Sequence, residues 1–152
     1  MKLIGAEQIQ RISAKFRHIP AGPHRVALIQ ESLLERLDSR LKQLASTETA
    51  QNELAALSID EQLRIFNETV EPQDDKETRT LTLRYLYDRF APAFALIENN
   101  NWLRYDRIGM RLLRIESLSS LEWLYLKMAL TGLSNPYAKY VMIDEVQDYT
   151  AA

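Results

Sequence analysis

The sequence contains no cysteine and only two histidines in 152 residues. Without cysteine there can be no disulfide bond, no thiolate nucleophile and no zinc site built on thiolates. Two histidines are too few for a histidine metal cage, so we expect His18 and His24, which flank a Pro-Gly turn, to be structural. A chain without disulfides is typical of a cytoplasmic protein.

Long hydrophobic runs and a strong excess of one charge are absent as well. No apolar run approaches the roughly 18 residues that a membrane-spanning helix needs, and polar residues follow Met1-Lys2-Leu3-Ile4-Gly5 where a signal peptide would need its apolar segment. The 19 basic and 21 acidic side chains give a net charge of -2, unlike proteins that bind nucleic acid mainly through its phosphates. We therefore expect a cytoplasmic protein without a membrane segment.

Glycine and proline are scarce, with four and five copies, and 46% of the residues are hydrophobic. This composition predicts a mostly helical protein. The clearest helix is predicted over residues 24–44, where apolar residues recur every three or four positions and line one face. These residues are Val26, Ile29, Leu33, Leu37, Leu41 and Leu44.

Two capping boxes predict shorter helices, because in this pattern a hydroxyl and a carboxylate satisfy the free amides of a helix start. They are Ser58 with Glu61 and Ser119 with Glu122, which open helices predicted over residues 59–67 and 121–130. Another long helix is predicted over residues 83–97, kinked at Pro92, which lacks an amide hydrogen. Asp106 is predicted to cap the helix that follows, and Gly132 to end the last one.

Charge is distributed unevenly along the chain. Residues 46–77 carry two basic and nine acidic side chains, whereas residues 1–45 and 78–114 each have a net charge of +4. Such an acidic segment could form the tip of a helical hairpin that faces a basic surface on a partner. Charge patterning alone favours the alternative, a solvated loop with adjoining short helices.

The end of the chain carries the pattern with the most chemical content. Tyr140-Val141-Met142-Ile143 is an apolar run of strand-forming residues, and Asp144-Glu145 follow at once. A buried strand that ends in two acids is the Walker B arrangement, in which the first acid holds Mg²⁺ on the nucleotide phosphates and the second activates the attacking water. Asp144 is therefore the predicted Mg²⁺ ligand and Glu145 the predicted catalytic base. The alternative is a polar turn after a short buried strand or helix, and an apolar run followed by two acids is by itself a weak signal.

The match extends beyond these two acids. Asp144-Glu145-Val146-Gln147-Asp148 resembles motif II of the UvrD/Rep-type superfamily 1 helicases, whose pattern is Asp-Glu-x-Gln-Asp. The resemblance implies that Gln147 and Asp148 help to couple the ATP site to neighbouring motifs. Residues 119–133 look like the helix that precedes motif II in the HelD-like branch, helicase-related ATPases that bind and recycle bacterial RNA polymerase.

The resemblance covers residues 119–152 and implies a fold class and a domain organisation. The fold class is mainly α, an irregular helical insertion domain with one C-terminal β-strand that belongs to an incomplete α/β ATPase core. Residues 1–136 would form the insertion domain between motif I and motif II, and residues 137–152 the strand and turn of motif II. The implied cofactors of the parent protein are ATP and Mg²⁺, and its implied partners are DNA, RNA polymerase or both.

A phosphate-binding loop of the form Gly-x-x-x-x-Gly-Lys-Ser/Thr is missing from the sequence. We therefore expect a fragment of a longer ATP-dependent helicase, inactive by itself, whose unpaired strand could join that of a second copy. The rival interpretation is a free-standing helical interaction module in which residues 144–148 are only a polar tail. A conventional DNA-unwinding helicase would share motif II and differ only in its partner.

One further group of residues suggests nucleic-acid binding. Aromatic and basic side chains alternate here as they do where single-stranded DNA stacks on rings and its phosphates meet arginines. The candidates are Trp102, Arg104, Arg107 and Arg111, with Tyr105 and Arg114 nearby. The favoured alternative places the aromatic rings in the core and leaves the arginines solvated.

Overall fold

The structure, a computed structural model, describes residues 3–134 and 137. This part of the chain contains eight α-helices joined by short segments. They are α1 (Ala6–Lys15), α2 (Pro23–Leu44), α3 (Glu48–Ala55), α4 (Ile59–Phe66), α5 (Asp75–Arg89), α6 (Ala91–Glu98), α7 (Tyr105–Leu113) and α8 (Ser120–Thr131).

Helix α2 is the central element, and it contacts α1, α5, α6 and α8. All six residues of its predicted apolar stripe are buried, and Leu33, Leu37 and Leu41 are at most 1% exposed. Pro23 occupies the first turn, where its missing amide hydrogen costs no hydrogen bond. The helix predicted over residues 24–44 is confirmed, and its 22 residues provide one face long enough to organise the other helices.

The hydrophobic core of the described residues consists of three clusters of buried side chains. Helices α1, α2 and α6 share the first cluster, α2, α3 and α5 share the second, and α3 and α4 share the third. The buried members are Ile12, Ile29, Leu33, Leu37 and Ile97 in the first, Leu41, Leu44, Ala45, Ala50 and Leu86 in the second, and Leu54, Ile65 and Phe66 in the third.

Both predicted capping boxes are confirmed. Glu61 accepts a hydrogen bond from the amide of Ser58 at 2.9 Å, and the amide of Glu61 donates to Ser58 Oγ at 3.3 Å. The corresponding distances at Ser119 and Glu122 are 2.8 and 3.3 Å. Gly132 follows α8 with φ = 68°, the left-handed conformation that ends many helices, as predicted.

Two boundaries differ from prediction. Instead of one helix kinked at Pro92, α5 ends at Arg89 and α6 begins at Ala91, with Pro92 in its first turn. In the first turn of a helix, proline removes no helical hydrogen bond. Starting a new helix at this point therefore costs less free energy than placing Pro92 inside one kinked helix. Asp106 does not cap α7, because Arg104 occupies the N-cap position and Asp106 lies in the first turn.

The predicted fold class is corrected in one respect. A mainly helical protein is confirmed, but residues 3–134 and 137 contain no β-strand. The strand was predicted for residues 140–143, which lie outside the described part of the chain. None of the described elements offers a sheet edge to which a strand could donate its backbone hydrogen bonds, so we no longer retain the α/β component.

The acidic segment, residues 46–77, contains two short helices and a loop. Helices α3 and α4 pack against α5, and residues 67–74 connect α4 to α5. Arg64 on α4 makes two hydrogen bonds to Asp88 on α5, at 3.0 and 2.8 Å. The segment is thus an ordered part of the helical fold with its carboxylates on the outside.

A hydrogen bond between helices links Tyr87 on α5 to Asp38 on α2. The carboxylate of Asp38 also lies 2.7 Å from Lys42 Nζ. Lys42 first and Tyr87 second hold the pKa of Asp38 below its ordinary value, and the bond to Asp38 raises the pKa of Tyr87 to about 12. This network ties α2 to α5 at the edge of the second core cluster.

Replacing Tyr87 with Phe should test this network through its pH dependence. The pKa of Tyr87 rises from 10.0 to about 12 on folding, so its stabilising effect is complete below pH 10 and is lost as the pH rises towards 12. We expect the variant to be less stable by about 1 kcal/mol at neutral pH. Between pH 10 and 12 the variant should also lose less stability than the unmodified protein, as measured by urea unfolding.

Tyr125→Phe is the matched control, because the Tyr125 side chain is largely exposed on α8. The urea midpoint of this variant should equal that of the unmodified protein at each pH measured. If Tyr87→Phe retained the alkaline loss of the unmodified protein, the hydrogen bond to Asp38 would not be stabilising the fold.

Candidate functional site

The most unusual surface of the molecule is the outward face of α8. Leu121, Leu124, Tyr125 and Met128 follow the spacing of one helix face and are all exposed, Tyr125 to 58%. None of the residues in α8 is buried. We call these four residues the α8 stripe. Contiguous apolar surface of this kind usually marks a binding interface in a soluble protein.

The opposite face of α8 is held firmly against the rest of the fold. Gly109 on α7 lies so close to α8 that a Cβ atom there would come within 2.6 Å of Leu126 Cδ1. The rings of Tyr105 and Trp123 meet edge to face, with centroids 5.5 Å apart. Helix α8 therefore has a fixed inner side, and the α8 stripe is left over on its outer side.

Apolar exposure continues beyond the stripe. At the end of α7 and just after it, Leu112, Leu113 and Ile115 are exposed, Leu112 to 68%. Elsewhere in the part of the chain that the structure describes, the large exposed apolar side chains are Ile59 and Leu63, one turn apart on α4, Leu96 on α6, and Leu133 and Tyr137 after α8. Isolated exposed residues or pairs are common on soluble proteins, so the larger group on the last two helices is the distinctive feature.

The residues predicted to bind nucleic acid do not form one platform. Trp102 packs against the first core cluster, and Tyr105 is buried. Arg104 makes two hydrogen bonds to Asp106, at 3.2 and 2.9 Å, which raise the pKa of Arg104 and lower that of Asp106. This arrangement agrees with the alternative in which the aromatic rings pack inside and the arginines are solvated.

Arg107 and Arg111 are placed differently from Arg104. Both are exposed on α7, and neither forms an ion pair with a described residue. They remain available to an anionic partner. Of the predicted group, Arg107 and Arg111 form a small exposed basic surface, whereas the rings of Trp102 and Tyr105 pack against or within the core.

The predicted nucleotide-binding residues Asp144, Glu145, Gln147 and Asp148 lie outside the described residues. Among the residues that are described, no group of three or more acidic or histidine side chains could hold a metal ion. In the acidic segment, Asp74 caps α5 by accepting from the amide of Glu77 at 2.7 Å, and Glu77 accepts from the amide of Gln73 at 2.7 Å. These carboxylates serve the helix start.

The amino-acid sequence of α8 contains a signal for the α8 stripe. Helix α8 is apolar nearly all round, with Trp123, Leu126 and Leu130 on the sides that the stripe leaves free. A helix of that composition ordinarily lies buried on every side, and here only part of its circumference is covered. The mismatch between composition and burial identifies the surface.

Comparison of the chain with family models, with curated proteins and with solved structures gives no significant match in any of the three. Within the described residues, no helix is both long enough and apolar enough to cross a membrane.

Proposed function

We propose that this chain is the helical insertion of a UvrD/Rep-type, HelD-like helicase-related ATPase and carries motif II of that enzyme. The observation that carries the proposal is the pattern Asp144-Glu145-Val146-Gln147-Asp148. In the parent enzyme Asp144 holds Mg²⁺ on ATP, Glu145 activates the attacking water, and Gln147 and Asp148 couple the nucleotide site to neighbouring motifs.

The α8 stripe supports this proposal from the described part of the chain. It lies on the last described helix, which ends at Thr131 and so precedes the motif at Asp144 by twelve residues, and the helix is anchored on its inner side. An outward apolar face at this position suits a helix that packs against the ATPase core of a larger protein. The same stripe also suits the rival proposal of a free-standing interaction module, in which its partner would be another protein.

The partner of the insertion is proposed from the acidic segment. Residues 46–77 carry a net charge of -7, and Glu68, Glu71 and Asp75 are exposed side chains that accept no hydrogen bond within the described fold. A basic protein surface, such as one on RNA polymerase, complements them. DNA would instead be attracted to the two exposed arginines Arg107 and Arg111, which are fewer than the three exposed carboxylates.

The binding experiment titrates the purified protein against core RNA polymerase and against single- and double-stranded DNA. Combined replacement of Glu68 and Glu71 by Gln and of Asp75 by Asn should weaken polymerase binding about tenfold, since each exposed charge contributes up to about 1 kcal/mol. The effect should shrink at high salt. Asp74 and Glu77 are left intact, because they hold the start of α5.

The matched control neutralises three exposed carboxylates elsewhere, through Glu31→Gln, Glu98→Gln and Glu116→Gln. It changes the net charge equally and should leave polymerase affinity nearly unchanged. DNA binding that is lost with Arg107→Gln and Arg111→Gln would favour a conventional DNA-unwinding helicase. Failure to bind polymerase or DNA would contradict the proposed partners.

A further inference from the structure

Helices α7 and α8 are separate from the rest of the fold in their packing. The three core clusters are built from residues no later in the chain than Trp102, so none of their members lies in α7 or α8. The main contacts of α7 are with α8, and those of α8 are with α7 and α2. We call these two helices the α7–α8 pair. It forms a second packed unit, joined to the first mainly where α8 meets α2.

Polar bonds between helices show the same division. Gln30 Nε2 on α2 donates to the carbonyl oxygens of Ile97 and Glu98 at the end of α6, at 3.0 and 2.7 Å. Arg89 on α5 pairs with Glu53 on α3. In contrast, every side-chain hydrogen bond or ion pair that the α7–α8 pair makes with a described residue stays inside the pair, in its connection or in the turn before α7.

The end of α8 lies beside the start of α2. A Cβ atom on Gly132, the residue after α8, would lie 3.1 Å from Pro23 Cγ. A Cβ atom on Gly22, the residue before α2, would lie 4.0 Å from the carbonyl oxygen of Ala129. Such van der Waals contacts can break and re-form without leaving a polar group unpaired. They permit the α7–α8 pair to separate from α2 while both units stay folded.

The turn between α6 and α7, residues 99–104, is suited to act as the hinge of this movement. Asn100 has φ = 57°, the left-handed conformation, so the chain changes direction there. Asn100 Oδ1 and Trp102 Nε1 are inaccessible to solvent and form no hydrogen bond with a described residue. Buried polar atoms without partners cost free energy, which hydration recovers. Movement that lets water reach these two atoms therefore offsets part of the cost of opening.

We propose that the α7–α8 pair opens from helices α1–α6 as one unit about residues 99–104. The two helices stay packed on each other during the movement, through Leu126 against Gly109 and the ring of Trp123 against that of Tyr105. The opening itself is independent of the proposed ATPase function. Its consequence rests on that function, since in the proposed parent enzyme motif II follows α8, and the opening changes its position relative to the acidic segment.

Native-state hydrogen exchange of the unmodified protein tests the opening. Amides of α7 and α8 should share one opening reaction and exchange at least about tenfold faster than those of Leu33 and Leu37 in α2. Their exchange should respond weakly to low concentrations of urea, because the opening exposes little surface. Exchange of α7 and α8 only through global unfolding would overturn the proposal, and so would fast exchange of α8 without α7.

A reversible cross-link provides the matched control. Pro23→Cys combined with Gly132→Cys introduces two thiols at positions whose Cβ atoms lie 3.3 Å apart, close to the separation in disulfides, and the chain has no other cysteine. Oxidation should slow exchange in α7 and α8 at least about tenfold, to the rate of α2. The reduced form of the same variant is the reference, so any strain at Gly132 is common to both. Equal exchange in the two forms would contradict an opening between α8 and α2.

Discussion

In the proposed parent ATPase, Glu145→Gln is expected to lower ATP turnover by at least about a hundredfold while ATP is still bound. General base catalysis contributes roughly a hundredfold to ten-thousandfold, and an amide of the same size cannot take a proton from water. Asp144 is unchanged in this variant, so the proposed Mg²⁺ ligand and the affinity for ATP with Mg²⁺ are retained. Phosphate release and nucleotide titration measure the two quantities separately.

The control variant is Glu116→Gln, which neutralises an exposed carboxylate just before α8 and should leave turnover unchanged. Turnover that survives Glu145→Gln would remove Glu145 from the proposed mechanism. Loss of ATP binding together with turnover would point instead to a structural role for this side chain. A protein with all of motif II intact that never binds ATP would favour the free-standing module.

Local sequence signals predicted the boundaries of α2, α4 and α8 to within about one residue. A capping box involves two residues three positions apart, so the hydrogen bonds at Ser58 and Ser119 depend little on the rest of the fold. The stripe of α2 was equally clear because 22 residues give several turns of the same periodicity. Both kinds of signal act within one element.

Features that depend on contacts between residues far apart in the sequence were harder to predict. Helix α3 was not identified separately, because its eight residues bury only Ala50 and Leu54 and owe their stability to packing on α5. The sequence predicts a kink at Pro92, whereas the structure begins a new helix there, with Phe90 and Phe94 packed against the second core cluster. A short helix or a single proline leaves the outcome to tertiary structure.

The candidate sites differ in the same way, since some follow from neighbouring residues and others from tertiary contacts. The motif at Asp144 can be read directly from neighbouring residues, whereas the burial of Trp102 requires knowing that residues from α1, α2 and α6 surround it. For the α8 stripe, the sequence showed an apolar helix, but only the packed structure shows which of its faces has no cover. Composition shows that α8 is apolar, and the geometry shows which of its faces is exposed.

Leu41→Ala should produce a large loss of stability, because Leu41 is fully buried in the core. Leu41 is 0% exposed and joins α2 to Leu86 of α5 and Ala45 in the second cluster. Removing a fully buried leucine side chain costs about 2–5 kcal/mol, because the lost transfer energy is increased by the cavity left behind. Since domains of this size have about 5–15 kcal/mol of stability in total, urea unfolding should shift to a much lower midpoint.

Leu124→Ala is the matched control, because the same chemical change is made in the α8 stripe at a residue that is 43% exposed. The free energy of unfolding should change by no more than about 0.5 kcal/mol in the isolated chain. The effects on the proposed contact between α8 and the ATPase core should be the reverse. Leu124→Ala should weaken that contact, because it removes part of the α8 stripe, whereas Leu41→Ala should not. A loss of stability at Leu124 as large as that at Leu41 would show that the stripe is already covered in solution, and dependence of the midpoint on protein concentration would then identify a second copy as the cover.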